Sequence, residues 1–133
     1  MKRLFADTFY YLAVLNPADP AHAKAKRFFG RTDRHHLTTT WVLTEVADAM
    51  SRTNLRGRFS ELHEFLLDDL TFELLPTDDD LWERGRQLFV ARPDKDWSLT
   101  DCISFVVMQE RGLKDALTGD HHFEQAGFKT LLK

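Results

Sequence analysis

The chain has 133 residues, 43% of them apolar and 29% charged, with a formal net charge of −3. These figures fit one soluble α/β-sized domain over residues 1–133 with a real core, and they exclude a globally basic nucleic-acid binder. They leave open an enzyme that meets phosphate through a metal and a few local arginines. The single cysteine, Cys102, excludes an intrachain disulfide and fits a reducing, cytoplasmic compartment.

Met1-Lys2-Arg3, the apolar residues 9–15 and Ala21-His22-Ala23 together imitate a secretory signal. Asp7 interrupts the apolar stretch and the unbroken run is only seven residues, so a cytoplasmic protein is expected. No run approaches the ~20 apolar residues that a membrane-spanning helix needs.

Arg3-Leu4-Phe5-Ala6 reads as a short strand buried on both faces and ending at Asp7-Thr8. Residues 9–15 are apolar all round and predict a buried helix, which Asn16-Pro17 ends. Asp19-Pro20 restarts a helix with cap and first-turn proline in their preferred places, carrying Lys24, Lys26 and Arg27 outward and Phe28-Phe29 inward. Leu37-Thr38-Thr39 predicts a second strand, and residues 41–52 a helix whose apolar stripe is Val42, Leu43, Val46, Ala47, Ala49 and Met50. On that helix Glu45 lies at the stripe's edge, whereas Asp48 points away from it. A polar connection with Arg52, Arg56 and Arg58 leads to an amphipathic helix over 59–67 and a third strand over 72–75. Pro76 ends the strand, and Thr77 with Asp80 gives a capping-type start to a helix reaching about Arg92.

The stretch from Asp96 to Phe123 is the most informative. Ser98 caps a helix whose first turn holds Thr100-Asp101, and Asp101 projects between Phe105 and Met108 on a largely apolar helix. A charge placed there is costly unless something compensates it. Arg111-Gly112 ends the helix, Ala116-Leu117-Thr118 reads as a buried strand, and Gly119-Asp120 follows it. A short helix through Glu124-Gln125 and an edge strand within 128–132 complete the chain. Alternating strands and helices predict an α/β fold with a short central parallel sheet flanked by helices.

Asp7, Glu45, Asp101 and Asp120 therefore stand out: two follow strands and two sit on the inner side of helices. If the first and fourth strands are neighbours, all four share the crevice at the carboxyl ends of the strands. Their mutual repulsion calls for a cation or for retained protons, and oxygen-only ligands favour Mg²⁺ or Mn²⁺ over zinc. Such an ion polarises a phosphodiester and makes a bound water more acidic. Each acid also has an ordinary role open to it: Asp7 as a helix cap, Asp101 as a helix-start charge, Asp120 as a turn former.

The order Asp7-Thr8, Glu45 on a helix, Leu99-Thr100-Asp101-Cys102-Ile103-Ser104-Phe105, then Ala116-Leu117-Thr118-Gly119-Asp120-His121-His122-Phe123, resembles the PIN-domain ribonucleases. The VapC-type toxins of prokaryotic toxin–antitoxin pairs are the subgroup most alike. The resemblance runs through the whole chain and implies a PIN-like three-layer sandwich. It places Asp7, Glu45, Asp101 and Asp120 on that family's acidic quartet, which binds Mg²⁺ or Mn²⁺, with Asp96 as an additional supporting acid. It further implies cleavage of RNA to a 5′-phosphate and 3′-hydroxyl, a homodimer and a cognate antitoxin protein. Within the same fold, a nuclease for RNA processing without an antitoxin, or a non-catalytic RNA- or protein-binding domain, is also compatible. The chain departs from many members in carrying Phe9-Tyr10-Tyr11 directly after Asp-Thr.

Thr8, Ser104 and Thr118 are candidates to hydrogen-bond the carboxylates, although such hydroxyls also bond nearby backbone. His121-His122 and His35-His36 lack thiolates and regular ligand spacing, so zinc is not expected, and His122 is expected at the surface. Arg52, Arg56, Arg58, Lys24, Lys26 and Arg27 could line a path for RNA phosphates or simply be solvated. Tyr10, Tyr11 and Trp97 could stack bases or belong to the core. By the resemblance, residues 9–15 with Phe28-Phe29 are the expected partner-binding surface.

Overall fold

The structure, a computed structural model, describes residues 2–133; Met1 of the basic amino-terminal trio lies outside the described residues. In chain order the elements are β1 (Lys2–Ala6), α1 (Thr8–Leu15), α2 (His22–Phe28), β2 (Arg34–Thr39), α3 (Thr40–Ala49) and α4 (Arg56–Asp68). They continue with β3 (Phe72–Leu75), α5 (Asp79–Ala91), α6 (Leu99–Glu110), β4 (Asp115–Leu117), α7 (His121–Gln125) and β5 (Lys129–Thr130). The strands form one parallel sheet in the order β3-β2-β1-β4-β5, flanked by helices. Strand order reverses direction at β1, because the chain first winds outward through β2 and β3 and then returns to β4 and β5 on the other side. The crevice at such a switch point is where open α/β sheets place their ligands.

The central strand is buried as its composition demands: Leu4, Phe5 and Ala6 are fully inaccessible, as are Leu117 and Ala116 beside them. The stretch that imitates a signal peptide is thus an integral strand and helix of the core. No helix of the described residues is long and apolar enough to cross a membrane. α5 packs closely on α6, and Gly85 makes the approach: a Cβ there would meet the Ile103 side chain and stand 3.1 Å from the Ile103 Cα.

Several expectations need correction. Tyr10, Tyr11 and Trp97 are core residues, 1%, 0% and 6% exposed, and offer no stacking surface. β2 begins at Arg34, because pairing with β1 extends it through Arg34 and His35 to the buried His36, where β3 joins on the other side. Asp78, not Thr77, caps α5 by accepting from the Leu81 N–H at 2.9 Å. α2 starts at His22, since the Asp19 side chain is spent on a turn, accepting from the Ala21 N–H. Ala49 is exposed at the end of α3.

Candidate active site

The register of the sheet sets the first contact. Ala6 lies opposite Leu117, so the next residues along β1 and β4, Asp7 and Thr118, emerge side by side. The Asp7 N–H donates to the Leu117 carbonyl at 3.3 Å, and the Thr118 hydroxyl donates to Asp7 Oδ2 at 2.9 Å. Asp7 occupies the N-cap position of α1 without making a side-chain cap bond; its carboxylate is turned to Thr118 instead. β2 runs directly into α3, where Thr39 supplies the cap by accepting from the Val42 N–H. That junction carries Glu45 back towards β1, and the Thr8 hydroxyl donates to Glu45 Oε1 at 2.6 Å.

The second pair of acids comes from the return half of the chain. Ser98 caps α6, and Asp101 completes a capping box by accepting from the Ser98 N–H at 3.2 Å. Asp120 caps α7, accepting from the His122 N–H at 2.9 Å, and its own N–H donates to Thr118 Oγ1. Asp101 and Asp120 thus keep the ordinary helix-start roles open to them and still join the cluster. His122, expected at the surface, places Nδ1 at 3.1 Å from Asp101 Oδ2 and 3.4 Å from Asp120 Oδ1.

The electrostatics record one shared environment. The Asp7 carboxyl is pushed up to about 7, first by burial, then by the charge of Asp101, with Asp120 adding to it against the Thr118 hydrogen bond. Burial likewise raises Glu45, which Asp101 and Asp120 raise further. Asp101 is raised by burial and by Asp120, against the Ser98 N–H and His122. Among the described residues no lysine or arginine ion-pairs with any of Asp7, Glu45, Asp101 or Asp120. Asp7 and Asp101 do stand at the positive amino ends of α1 and α6, a partial offset only.

These donors fit a hard divalent ion. The hydrogen bonds fall on one oxygen of each acid, from side chains on Asp7 Oδ2, Glu45 Oε1 and Asp101 Oδ2 and from the His122 backbone N–H on Asp120 Oδ1, and leave the other oxygen without a side-chain partner. No three of the acids bring oxygens within 4.8 Å of one another, so in these rotamers at most two of them could bind one ion directly, the others acting through its waters or after turning inward. The tighter set of Asp120, His121 and His122 is a run of consecutive residues at a helix start, and the His121 ring is 68% exposed.

Of the supporting candidates, Thr8 and Thr118 bond carboxylates. Ser104 does not: its hydroxyl is fully buried without a partner. Asp96 is exposed and lies outside the hydrogen-bonded cluster. Three of the six basic candidates bond backbone carbonyls, Arg56 that of Ser51, Arg58 that of Leu15 and Lys24 that of Lys133. Cys102 is buried, its thiol pushed up to about 11 by burial and then by Asp101. The one contributor sequence reasoning displaced was His122; its signal is the position two residues after an N-cap acid, where the cap bond itself draws residue 122 inward.

The chain is similar to known proteins along nearly its whole length. The chain is 28% identical over 131 residues to the 23S rRNA-specific endonuclease VapC20 of Mycobacterium tuberculosis, covering 94% of this chain and 95% of that one. The crystal structure of M. tuberculosis VapC20, a sarcin–ricin loop cleaving toxin, superposes with a TM-score of 0.84 at 26% identity over 94% and 95% of the two chains. The fold also matches a chain of the DNA-bound VapBC structure from Salmonella typhimurium, with a TM-score of 0.67 at 17% identity, covering 98% and 97%. The PIN domain family matches residues 4–129, a span that holds both strand-end acids and both helix acids, and the chain belongs to that family.

Proposed function

We propose that this single-domain chain is a divalent-metal-dependent endoribonuclease, the toxin of a type II toxin–antitoxin pair, acting in the cytoplasm. One observation carries the reading: Asp7 lies buried beside the charges of Asp101 and Asp120, Glu45 feels the same two acids, and among the described residues no lysine or arginine ion-pairs with any of the four. A carboxylate cluster of that kind needs an external cation to ionise fully.

Asp7, Glu45, Asp101 and Asp120 would hold Mg²⁺ or Mn²⁺, with Thr8 and Thr118 fixing the rotamers of Glu45 and Asp7. An ion bound there supplies Lewis acidity to the phosphodiester and a more acidic water. The acids themselves orient that water and accept its proton. A covalent nucleophile has no place in the scheme, since Cys102 is buried and its thiol holds its proton.

RNA as substrate rests on the kinship with VapC20, which is named for its action on 23S rRNA. An antitoxin is the partner that the VapBC likeness supports, and a second copy of the chain is proposed from the family resemblance alone. An apolar groove of about 330 Å³ formed by Val14, Leu15, Phe29, Leu62 and Phe65 lies on the expected partner surface. The test is Asp101→Asn: RNA cleavage with Mg²⁺ should disappear while the fold persists, and cleavage at the wild-type rate would refute the assignment. Expression of the wild-type chain without a partner should arrest growth of the host.

A further inference from the structure

His122 is the side chain that meets two of the acids. The backbone N–H of His122 donates to Asp120 Oδ1 at 2.9 Å, and the ring Nδ1 stands 3.1 Å from Asp101 Oδ2 and 3.4 Å from Asp120 Oδ1. The side chain is 19% exposed, in contrast to 68% for its neighbour His121. An ionised carboxylate only accepts hydrogen bonds, so Nδ1 carries the proton it shares with Asp101. The Ser98 N–H reaches the same Oδ2 at 3.2 Å. Two donors therefore converge on one oxygen of Asp101 and leave Oδ1 without a side-chain partner.

The pattern across the cluster gives this contact its meaning. Thr118 serves Asp7 and Thr8 serves Glu45, each through a hydroxyl. His122 serves the remaining pair, and it joins the start of α6 to the start of α7. The Trp97–Gln125 hydrogen bond at 3.0 Å and the packing of Phe105 on Phe123 also join these elements, but neither touches an acid; the His122 ring acts on the Asp101 carboxylate itself.

We propose that His122 is a positioning residue for the metal site, its Nδ1–H holding Asp101 beside the Asp120 that its backbone N–H caps, in the orientation that a divalent ion requires. The inference rests on the metal-dependent reading above. Supporting donors of this kind usually matter about 10- to 100-fold in metal affinity. Asparagine is the informative replacement, because its Nδ2 donor lies as many bonds from Cβ as the histidine Nδ1 does.

The experiment is Mn²⁺ binding to the full chain, followed by calorimetry and electron paramagnetic resonance, for the wild type, His122→Ala, His122→Asn and the control His121→Ala. The expected result is about a 10- to 100-fold loss of Mn²⁺ affinity in His122→Ala, recovery of most of it in His122→Asn, and no change in His121→Ala. Thermal unfolding without metal establishes that each variant folds. Wild-type affinity in His122→Ala would overturn the proposal, and so would a histidine nitrogen coupled directly to Mn²⁺, which would make His122 a ligand instead. Failure of the wild type itself to bind Mn²⁺ would instead overturn the metal reading on which the proposal rests.

Discussion

Thr118 donates its hydroxyl proton to Asp7 across 111 positions of sequence, at 2.9 Å, because β1 and β4 are in-register neighbours. This bond opposes the burial that drives the Asp7 carboxyl upward. Thr118→Val keeps the shape and removes the donor, so the Asp7 carboxyl should rise above its present value of about 7. A loss of about 1–3 kcal/mol in stability is expected at pH 8, where the carboxylate must ionise with its partner gone. Carboxyl-selective NMR titration and urea unfolding read the two effects, and an unmoved titration would contradict the assigned contact.

The pH dependence of stability follows from the same residue. Asp7 titrates near 3.8 when unfolded and near 7 in the fold, so the unfolded chain loses its proton first as pH rises. The favourable contribution is complete below about 3.8, declines as pH climbs to about 7, and is then level. Its full size is on the order of 4 kcal/mol. Glu45 and Asp101, raised by burial, act in the same sense, while His36, lowered by burial, acts oppositely on the acid side. Metal-free Asp7→Asn should be more stable than the wild type at pH 8 and nearly equal to it at pH 4. Urea unfolding of both chains in EDTA checks this, and parallel curves across that range would contradict it.

Metal binding should show the complementary trend. Below about 7 an incoming ion must displace the Asp7 proton, so apparent Mn²⁺ affinity should fall about tenfold per pH unit there and flatten above. Saturating Mn²⁺ should raise stability by about 2.7 kcal/mol at a hundred times its dissociation constant. Calorimetry in two buffers of different ionisation enthalpy counts the released proton, and a pH-independent affinity between pH 5.5 and 7 would argue against Asp7 as a ligand.

Gly85 offers a test of the scaffold behind Asp101. An added methyl there would press on Ile103, standing 3.1 Å from its Cα, and backbone at that point of α6 cannot step aside cheaply. Gly85→Ala should cost about 1–3 kcal/mol by overpacking and lower the thermal midpoint by roughly 4–11 °C. Since Ile103 is two residues from Asp101, Mn²⁺ affinity should fall as well. Unchanged unfolding and binding would mean that α5 and α6 are less tightly joined than the structure shows.

The acids were legible because each is announced by a local pattern: an apolar strand running into Asp7, another ending just before Asp120, and a helical stripe beside Glu45. Asp101 needed only its capping serine and the apolar residues around it. What local pattern could not supply was partnership. The buried Tyr10, Tyr11 and His36 sit where α1 covers the sheet and where β2 gains a neighbour on each side, facts of tertiary assembly that composition does not encode. The inward turn of His122 depends on the distance between two helix starts, so adjacent histidines 121 and 122 look equivalent in sequence and are not. Ser104 errs the other way: a hydroxyl one turn past Asp101 seemed placed to support it, yet it is sealed in the core.

The sheet order β3-β2-β1-β4-β5 has a consequence for synthesis of the protein. The middle strand is made first, and its partner on the acidic side arrives only near the carboxyl terminus. A nascent chain therefore carries Asp7 and Glu45 for most of its translation with nothing to complete them. A chain interrupted before Asp120 would lack the fourth acid of the proposed site, however well its first half folds.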